Sequence, residues 1–168
     1  MTVSAILALG SNLGAREETL LRAIGDLAHH PKIRVLKTSP MAITEAVGGP
    51  ENQPNFINLV VQIETELGPF DLLRYCQQVE LKHHRTREVH WGPRTLDIDI
   101  IAYGDLEMDE PDLSLPHPMA AQRAFVLAPW AKMDPQATLE DELVSVLAQE
   151  ANDVDGILEY RPAPVVCA

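Results

Sequence analysis

Three observations on this chain predict an α+β fold. Four segments have the apolar runs or alternation of strands, two others carry one apolar face at helical spacing, and the order is β-α-β-β-α-β. That order is the split βαβ, ferredoxin-like arrangement: a βαββαβ core with an antiparallel sheet and helices on one face. A C-terminal helical and edge-strand extension follows. At 168 residues the chain suits one well-formed core better than two. A single domain over 1–168 is therefore expected, with the core to about residue 130 and the extension over about 131–168.

Each element has its own signal. "TVSAILALG" (Thr2–Gly10) is a buried strand broken by "GSNLG", where Asn12 suits a helix cap. Arg16 to His30 places Leu20, Leu21, Ile24, Leu27 and Ala28 on one helical face, and Pro31 ends it. "KIRVLKTSP" is a second strand, followed by a Gly- and Pro-rich loop, Thr44–Pro54. In the third strand, Asn55 to Thr65, Leu59, Val61 and Ile63 share one face, and Asn58, Val60, Gln62 and Glu64 the other. Pro69 suits the first turn of a second helix with a stripe of Leu72, Leu73, Cys76 and Val79. A basic loop leads into the strand Thr95–Tyr103. Beyond it are expected a short helical piece at Ala120–Leu127, a helix from about Leu139 to Gln149 and an edge strand near Ile157–Tyr160. Thr138 with Asp141 resembles a capping box before the second of these.

Composition excludes several classes of function. The net charge of −12 argues against generic nucleic-acid binding, which needs a broad positive surface. No apolar run approaches the roughly 18 residues of a membrane span, and no basic stretch precedes an apolar one at the N-terminus. The two cysteines, Cys76 on a buried helix face and Cys167 in the tail, make no disulfide framework. A cytoplasmic protein is expected. The charge is nevertheless uneven, since Lys82, Arg85, Arg87 and Arg94 stand against Glu88 alone between residues 82 and 94, beside His83, His84 and His90. One compact basic loop on an acidic protein suits a small anion.

"WGPRTLDIDII" (Trp91–Ile101) sets Asp97 and Asp99 two residues apart in a strand, so they project together, about 6.5 Å apart at the backbone, opposite Leu96, Ile98 and Ile100. Alone, the pair fits a solvated strand face better than a metal site. The adjacent Arg94, Arg85 and Arg87 reverse that order, because carboxylates beside cations suit Mg²⁺ bridged to a polyphosphate. Other segments are weaker signals. "GSNLG" lacks the Lys-Ser/Thr ending of a P-loop. "QPNFIN" places Phe56 and Asn58 on one face, so that with Phe125 nearby two rings could hold a flat heterocycle whose edge Asn58 reads. His117 and Arg123 in "LPHPMAAQRAF" suit a second anion contact. The histidines lack the cysteines and regular spacing of a zinc site.

"ALGSNLG", "QPNFIN", "RTREVHWGPRTLDIDI" and "LPHPMAAQRAFVLAPW" together resemble, in order and approximate spacing, the 6-hydroxymethyl-7,8-dihydropterin pyrophosphokinases of folate biosynthesis. The resemblance runs from about Val3 to Trp130. It implies transfer of pyrophosphate from ATP to the pterin's hydroxymethyl group, giving AMP, by a monomer with no nucleic-acid or membrane partner. It implies two Mg²⁺ ions on Asp97 and Asp99, with Arg85 and Arg94 stabilising the transition state. A pterin site of Thr44, Val47, Phe56, Asn58 and Phe125 is implied. So is an ATP site of Leu73, Gln77, Glu80, Arg87, Trp91, Ile100, Ser114, His117 and Arg123. Glu88, His90 and Pro118 depart from residues common in the family. Two rival readings keep the fold: a palm-like nucleotidyl transferase or cyclase, which would release pyrophosphate, and a non-catalytic ligand-binding module.

Overall fold

A computed structural model of the chain describes residues 1–12, 15–45, 54–83 and 96–164. In chain order the main elements are β1 (Val3–Ser11), α1 (Arg16–His29), β2 (Ile33–Thr38), β3 (Met41–Thr44), β4 (Phe56–Thr65), α2 (Pro69–Lys82) and β5 (Asp97–Tyr103). There follow β6 (Met108–Asp109), β7 (Ser114–Leu115), α3 (Ala124–Met133), β8 (Thr138–Leu139), β9 (Glu142–Leu143), α4 (Val144–Glu150) and β10 (Ile157–Arg161). The main sheet runs β10-β3-β4-β1-β5, with β2 also on β4, and every pairing is antiparallel. The βαββαβ order and the antiparallel sheet are those expected.

Alternation along the strands divides the interior in two. Leu7 and Leu9 of β1, Leu59, Val61 and Ile63 of β4, and Ile98 and Ile100 of β5 pack with Leu20, Ala23, Ile24 and Leu27 of α1 and with Leu72, Cys76 and Val79 of α2. The core helices thus lie on one face, and Cys76 is a buried free thiol. The opposite face, carrying Ile6, Val60 and Ile101, is covered by α3 and α4 through Val126, Leu127, Trp130, Val144 and Ala148. Among the described residues no helix is long and apolar enough to cross a membrane.

Four local expectations are corrected. The second strand, expected over Lys32–Pro40, ends at Thr38, and a further strand, Met41–Thr44, precedes the expected loop. Pro40, with no N–H for a ladder, separates the two, and Ser39 Oγ accepts the Val60 N–H at 2.8 Å between them. Leu21 is 43 % exposed, off the α1 stripe that Ala23 completes. Asn12 does not cap α1, whose N-cap is Ala15; it is buried, and its amide donates to Pro54 O at 3.4 Å. The helix expected from Leu139 begins at Val144. Before it, Thr138–Leu139 and Glu142–Leu143 form a hairpin turned by Glu140 (φ 52°) and Asp141 (φ 68°). Two consecutive left-handed residues make the turn that matches strand twist, so Thr138 lies in a strand and caps nothing.

Candidate active site

The centre of the site is β5, the edge strand paired with β1. Asp97 lies opposite Gly10 and Asp99 opposite Ala8, so the two carboxylates each face a small residue on β1. Ile98 and Ile100, pointing the other way, are buried under α2, while Asp97 is half-buried and Asp99 exposed. The outer edge of β5 is held by Glu80 of α2, itself 6 % exposed. Its Oε2 accepts the Ile98 N–H at 2.8 Å. A carboxylate thereby occupies a ladder position that no strand fills among the described residues, and it holds the backbone midway between the two aspartates.

A cavity of about 490 Å³ opens on the α3 side of the sheet. Phe56 and Asn58 of β4, Thr44 of β3, Phe125 and Arg123 at the start of α3, and Asp97 and Asp99 all line it. Asn58 Nδ2 donates to Thr44 Oγ1 at 2.8 Å, which fixes the carboxamide across two strands. Gly10 makes this possible, because a Cβ there would come within 2.5 Å of Asn58 Oδ1. The Arg123 guanidinium carbon lies 5.7 Å from the Phe125 ring centroid, within cation–π range.

A second cavity, about 220 Å³, lies on the far side of Asp99 and is lined by Leu73, Ile98, Ile100, Ser114 and His117 as well as Asp99 itself. The backbone N–H of His117 donates to Ile101 O at 2.9 Å, tying the Pro-His-Pro turn to β5. Its Nδ1 accepts the Met119 N–H at 3.1 Å. Burial lowers the imidazole's pKa; the Asp99 carboxylate works against that shift and the Arg123 charge with it. That shift favours the neutral ring, and with Nδ1 an acceptor the proton of that form belongs on Nε2, a donor. Among the described residues no group of three His, Cys, Asp or Glu is placed to hold a metal, so the aspartates stand as a pair.

Of the residues the sequence singles out, Thr44, Phe56, Asn58, Asp97, Arg123 and Phe125 line the larger cavity. Leu73, Ile100, Ser114 and His117 line the smaller one, and Asp99 lines both. Gln77 is exposed on α2 and lines neither. Glu80 is buried against β5, where it serves the strand. Val47, Arg85, Arg87, Trp91 and Arg94 lie outside the described residues. Sequence reasoning missed Gly10, for which a glycine inside a strand was the available signal of close approach. It also missed Asp153, Gly156 and Ile157, which line the larger cavity from the extension and carry no local signal.

Residues 6–135 match the family described as 7,8-dihydro-6-hydroxymethylpterin-pyrophosphokinase (HPPK). The chain belongs to this family. It is 44% identical over 136 residues to the 2-amino-4-hydroxy-6-hydroxymethyldihydropteridine pyrophosphokinase of Bacillus subtilis, covering 81% of each chain. The enzyme of the same name from Pseudomonas aeruginosa is 42% identical over 135 residues, 80% of this chain and 83% of that one. That from Methylorubrum extorquens is 41% identical over 140 residues, 83% and 88%. Among solved structures, wild-type HPPK-DHPS of Plasmodium falciparum with pteroate superposes with a TM-score of 0.69 at 15% identity, over 89% of this chain and 44% of that one. The same protein's A437G variant with pteroate gives a TM-score of 0.64. This chain spans less than half of those longer chains, and the likeness establishes the fold.

Proposed function

We propose that the family's reaction runs where the two cavities meet, with the pterin in the larger, ATP in the smaller, and Asp97 and Asp99 between them. The chain is a 2-amino-4-hydroxy-6-hydroxymethyldihydropteridine diphosphokinase. It transfers pyrophosphate from ATP to the hydroxymethyl group of 6-hydroxymethyl-7,8-dihydropterin, a step in tetrahydrofolate biosynthesis. The observation that carries the placement is that Asp99 lines both cavities. A group held by the pair would touch both substrates.

The donor set fits magnesium. Two hard carboxylates with no third His, Cys, Asp or Glu ligand among the described residues match an ion that takes one or two carboxylates and completes its shell with water and phosphate oxygens. We assign two Mg²⁺ ions to the pair. When bound they neutralise the polyphosphate and stabilise charge in the transition state.

The chain's own groups supply position and charge. Phe56 and Phe125 stack on the pterin, while Asn58, held by Thr44, reads its edge with backbone groups of Thr44 and Val47. Leu73 and Ile100 pack on the nucleotide, Ser114 and His117 Nε2–H donate to it, and Arg123 faces its phosphates. Gln77, Glu80, Arg87 and Trp91 complete the ATP side, Glu80 through its bond to Ile98. The hydroxymethyl oxygen attacks the β-phosphorus, and a new O–P bond forms as the bond from that phosphorus to the α,β-bridging oxygen breaks. AMP leaves with the electron pair, the hydroxyl proton is released, and Arg85 and Arg94 meet the charge that develops. Positioning and electrostatics suffice for such a transfer, so no nucleophilic side chain is required. We read the chain as a single-domain monomer of the cytoplasm.

Incubation with ATP, Mg²⁺ and 6-hydroxymethyl-7,8-dihydropterin, with chromatography of the products, tests the reading. AMP and pterin diphosphate in equal amounts are expected, and AMP only when the pterin is present. ADP, free pyrophosphate or pterin-independent AMP would contradict it.

A further inference from the structure

The extension beyond the family-matched residues 6–135 reaches into the larger cavity at one short stretch. Asp153 and Ile157, on either side of a 3-10 turn over Val154–Gly156, and Gly156 at its end line it. The two ends of this stretch hold two different walls of the cavity. At one end, Asp153 Oδ1 accepts the backbone N–H of Ala124 at 2.8 Å. Ala124 is the first residue of α3 and stands between Arg123 and Phe125. At the other, Gly156 O accepts the Glu45 N–H at 3.1 Å, and Ile157 opens β10 opposite Thr44. The Gly156 N–H returns to Asp153 O at 2.9 Å, which closes the turn between the two grips.

The α3 end shows why the first grip matters. A helix start leaves several N–H groups without partners and favours an acceptor side chain at its N-cap. The N-cap of α3 is Arg123, whose guanidinium has donors only, and the first turn holds no acidic residue. Asp153 supplies from 29 residues downstream the acceptor that the local sequence lacks, and its negative charge suits the helix N-terminus. Without it, the Ala124 N–H loses its partner and the turn that aims Phe125 is freer to fray.

We propose that Asp153 is a positioning residue for the heterocycle-binding cavity, through which the extension holds Phe125 of α3 and Thr44 of β3 at a fixed separation. The proposal rests on the assignment of the pterin to that cavity. Asp153 acts on binding by raising the fraction of molecules whose stacking wall is in place, and apparent affinity scales with that fraction. It acts chiefly on the pterin side, because none of these residues lines the smaller cavity; Arg123, the N-cap beside Ala124, is the one nucleotide-side group it adjoins.

Steady-state kinetics with each substrate varied, on Asp153→Ala, Asp153→Asn and Asp153→Glu, test it, with Phe125→Ala as a control. For Asp153→Ala, loss of a cap predicts a pterin KM higher by about fivefold to tenfold, with kcat within about twofold of the parent and ATP KM raised by clearly less than pterin KM. Asp153→Asn retains an acceptor oxygen and is expected to restore pterin KM. Asp153→Glu keeps the charge on a longer arm and should fall between, so the test survives if the alanine variant does not fold. An unchanged pterin KM in Asp153→Ala or, if that chain does not fold, in Asp153→Glu would overturn the proposal. So would an equal rise in both KM values, or failure of Asn to rescue. If Phe125→Ala leaves pterin KM unchanged, the cavity assignment itself is wrong. If Phe125→Ala raises it and the Asp153 variants do not, only the role of Asp153 falls.

Discussion

The two cavities that meet at Asp99 are built in different ways. The larger is braced by hydrogen bonds made before any ligand arrives: Asn58 to Thr44 across two strands and Ala124 to Asp153 across the extension. Gly10 leaves the carboxamide its space. The smaller is shaped by apolar side chains, Leu73, Ile98, Ile100 and Leu113, with Asp99, Asp112, Ser114 and His117 as its polar groups. Its strand wall is fixed from behind by Glu80. A rigid flat ring has one shape to recognise, so fixed partners can be set in advance at little ordering cost. A flexible polyphosphate is better met by metal and long cationic side chains. The braced walls of the larger cavity thus suit the ring, while the polyphosphate falls to the Asp97–Asp99 pair and to Arg123, which lines the larger cavity.

Single substitutions should break one cavity without the other. Gly10→Ala brings the largest selective effect, because its Cβ would lie 2.5 Å from Asn58 Oδ1 and the amide must leave its bond to Thr44. Pterin affinity is expected to fall by about a hundredfold, of order 3 kcal/mol, while ATP affinity in titration calorimetry stays within about threefold of the parent. Equal losses for both ligands would erase the distinction between the cavities.

Glu80→Ala should act on the shared strand and the smaller cavity. It strands the Ile98 N–H and removes a buried acceptor, so thermal or denaturant unfolding should show a loss of about 1–3 kcal/mol. Nucleotide affinity should fall by more than pterin affinity. A stability equal to the parent's would mean that β5 holds its place without this bond.

Asp26→Asn, remote from both cavities, should have the smallest effect. Asp26 receives Lys82 Nζ at 2.7 Å and His83 Nε2 at 2.9 Å and so joins α1 to the end of α2. Burial raises its pKa, but the hydrogen bonds and charges of Lys82 and His83 outweigh it, and the net shift is below the ordinary 3.8. A carboxylate whose pKa is depressed in the folded state stabilises above its unfolded pKa and loses that contribution as pH falls through the folded value. The variant should be less stable by about 1 kcal/mol at pH 7. Denaturant titrations should show the gap closing below pH 3.8, with both KM values unchanged. A gap that persists at the acid end would assign the loss to packing.

Much of this architecture was legible in local pattern, because strand alternation and helical spacing report directly which face is buried. Leu59, Val61 and Ile63 face one core while Asn58 and Val60 face the other way, and Asp97 and Asp99 share a side opposite Ile98 and Ile100. What the pattern could not carry was contact between distant residues. The clash that requires Gly10 arises from its register with Asn58, and Asp153 caps a helix 29 residues away. The turn at Glu140 and Asp141 was missed for another reason. Neither is the glycine that usually marks a left-handed backbone, so the segment looked like the first turn of a helix.

The central claim is that the Asp97–Asp99 side of β5 performs chemistry while its isoleucine side holds the fold. Asp97→Ala, measured for AMP formation and for thermal unfolding on the same preparation, tests it most directly. The half-buried carboxylate carries little of the core, so a melting temperature within a few degrees (about 1 kcal/mol) of the parent is expected. Turnover should be lower by a factor of about a thousand or more. A variant that unfolds, or one that folds and still makes AMP at a comparable rate, would contradict the account.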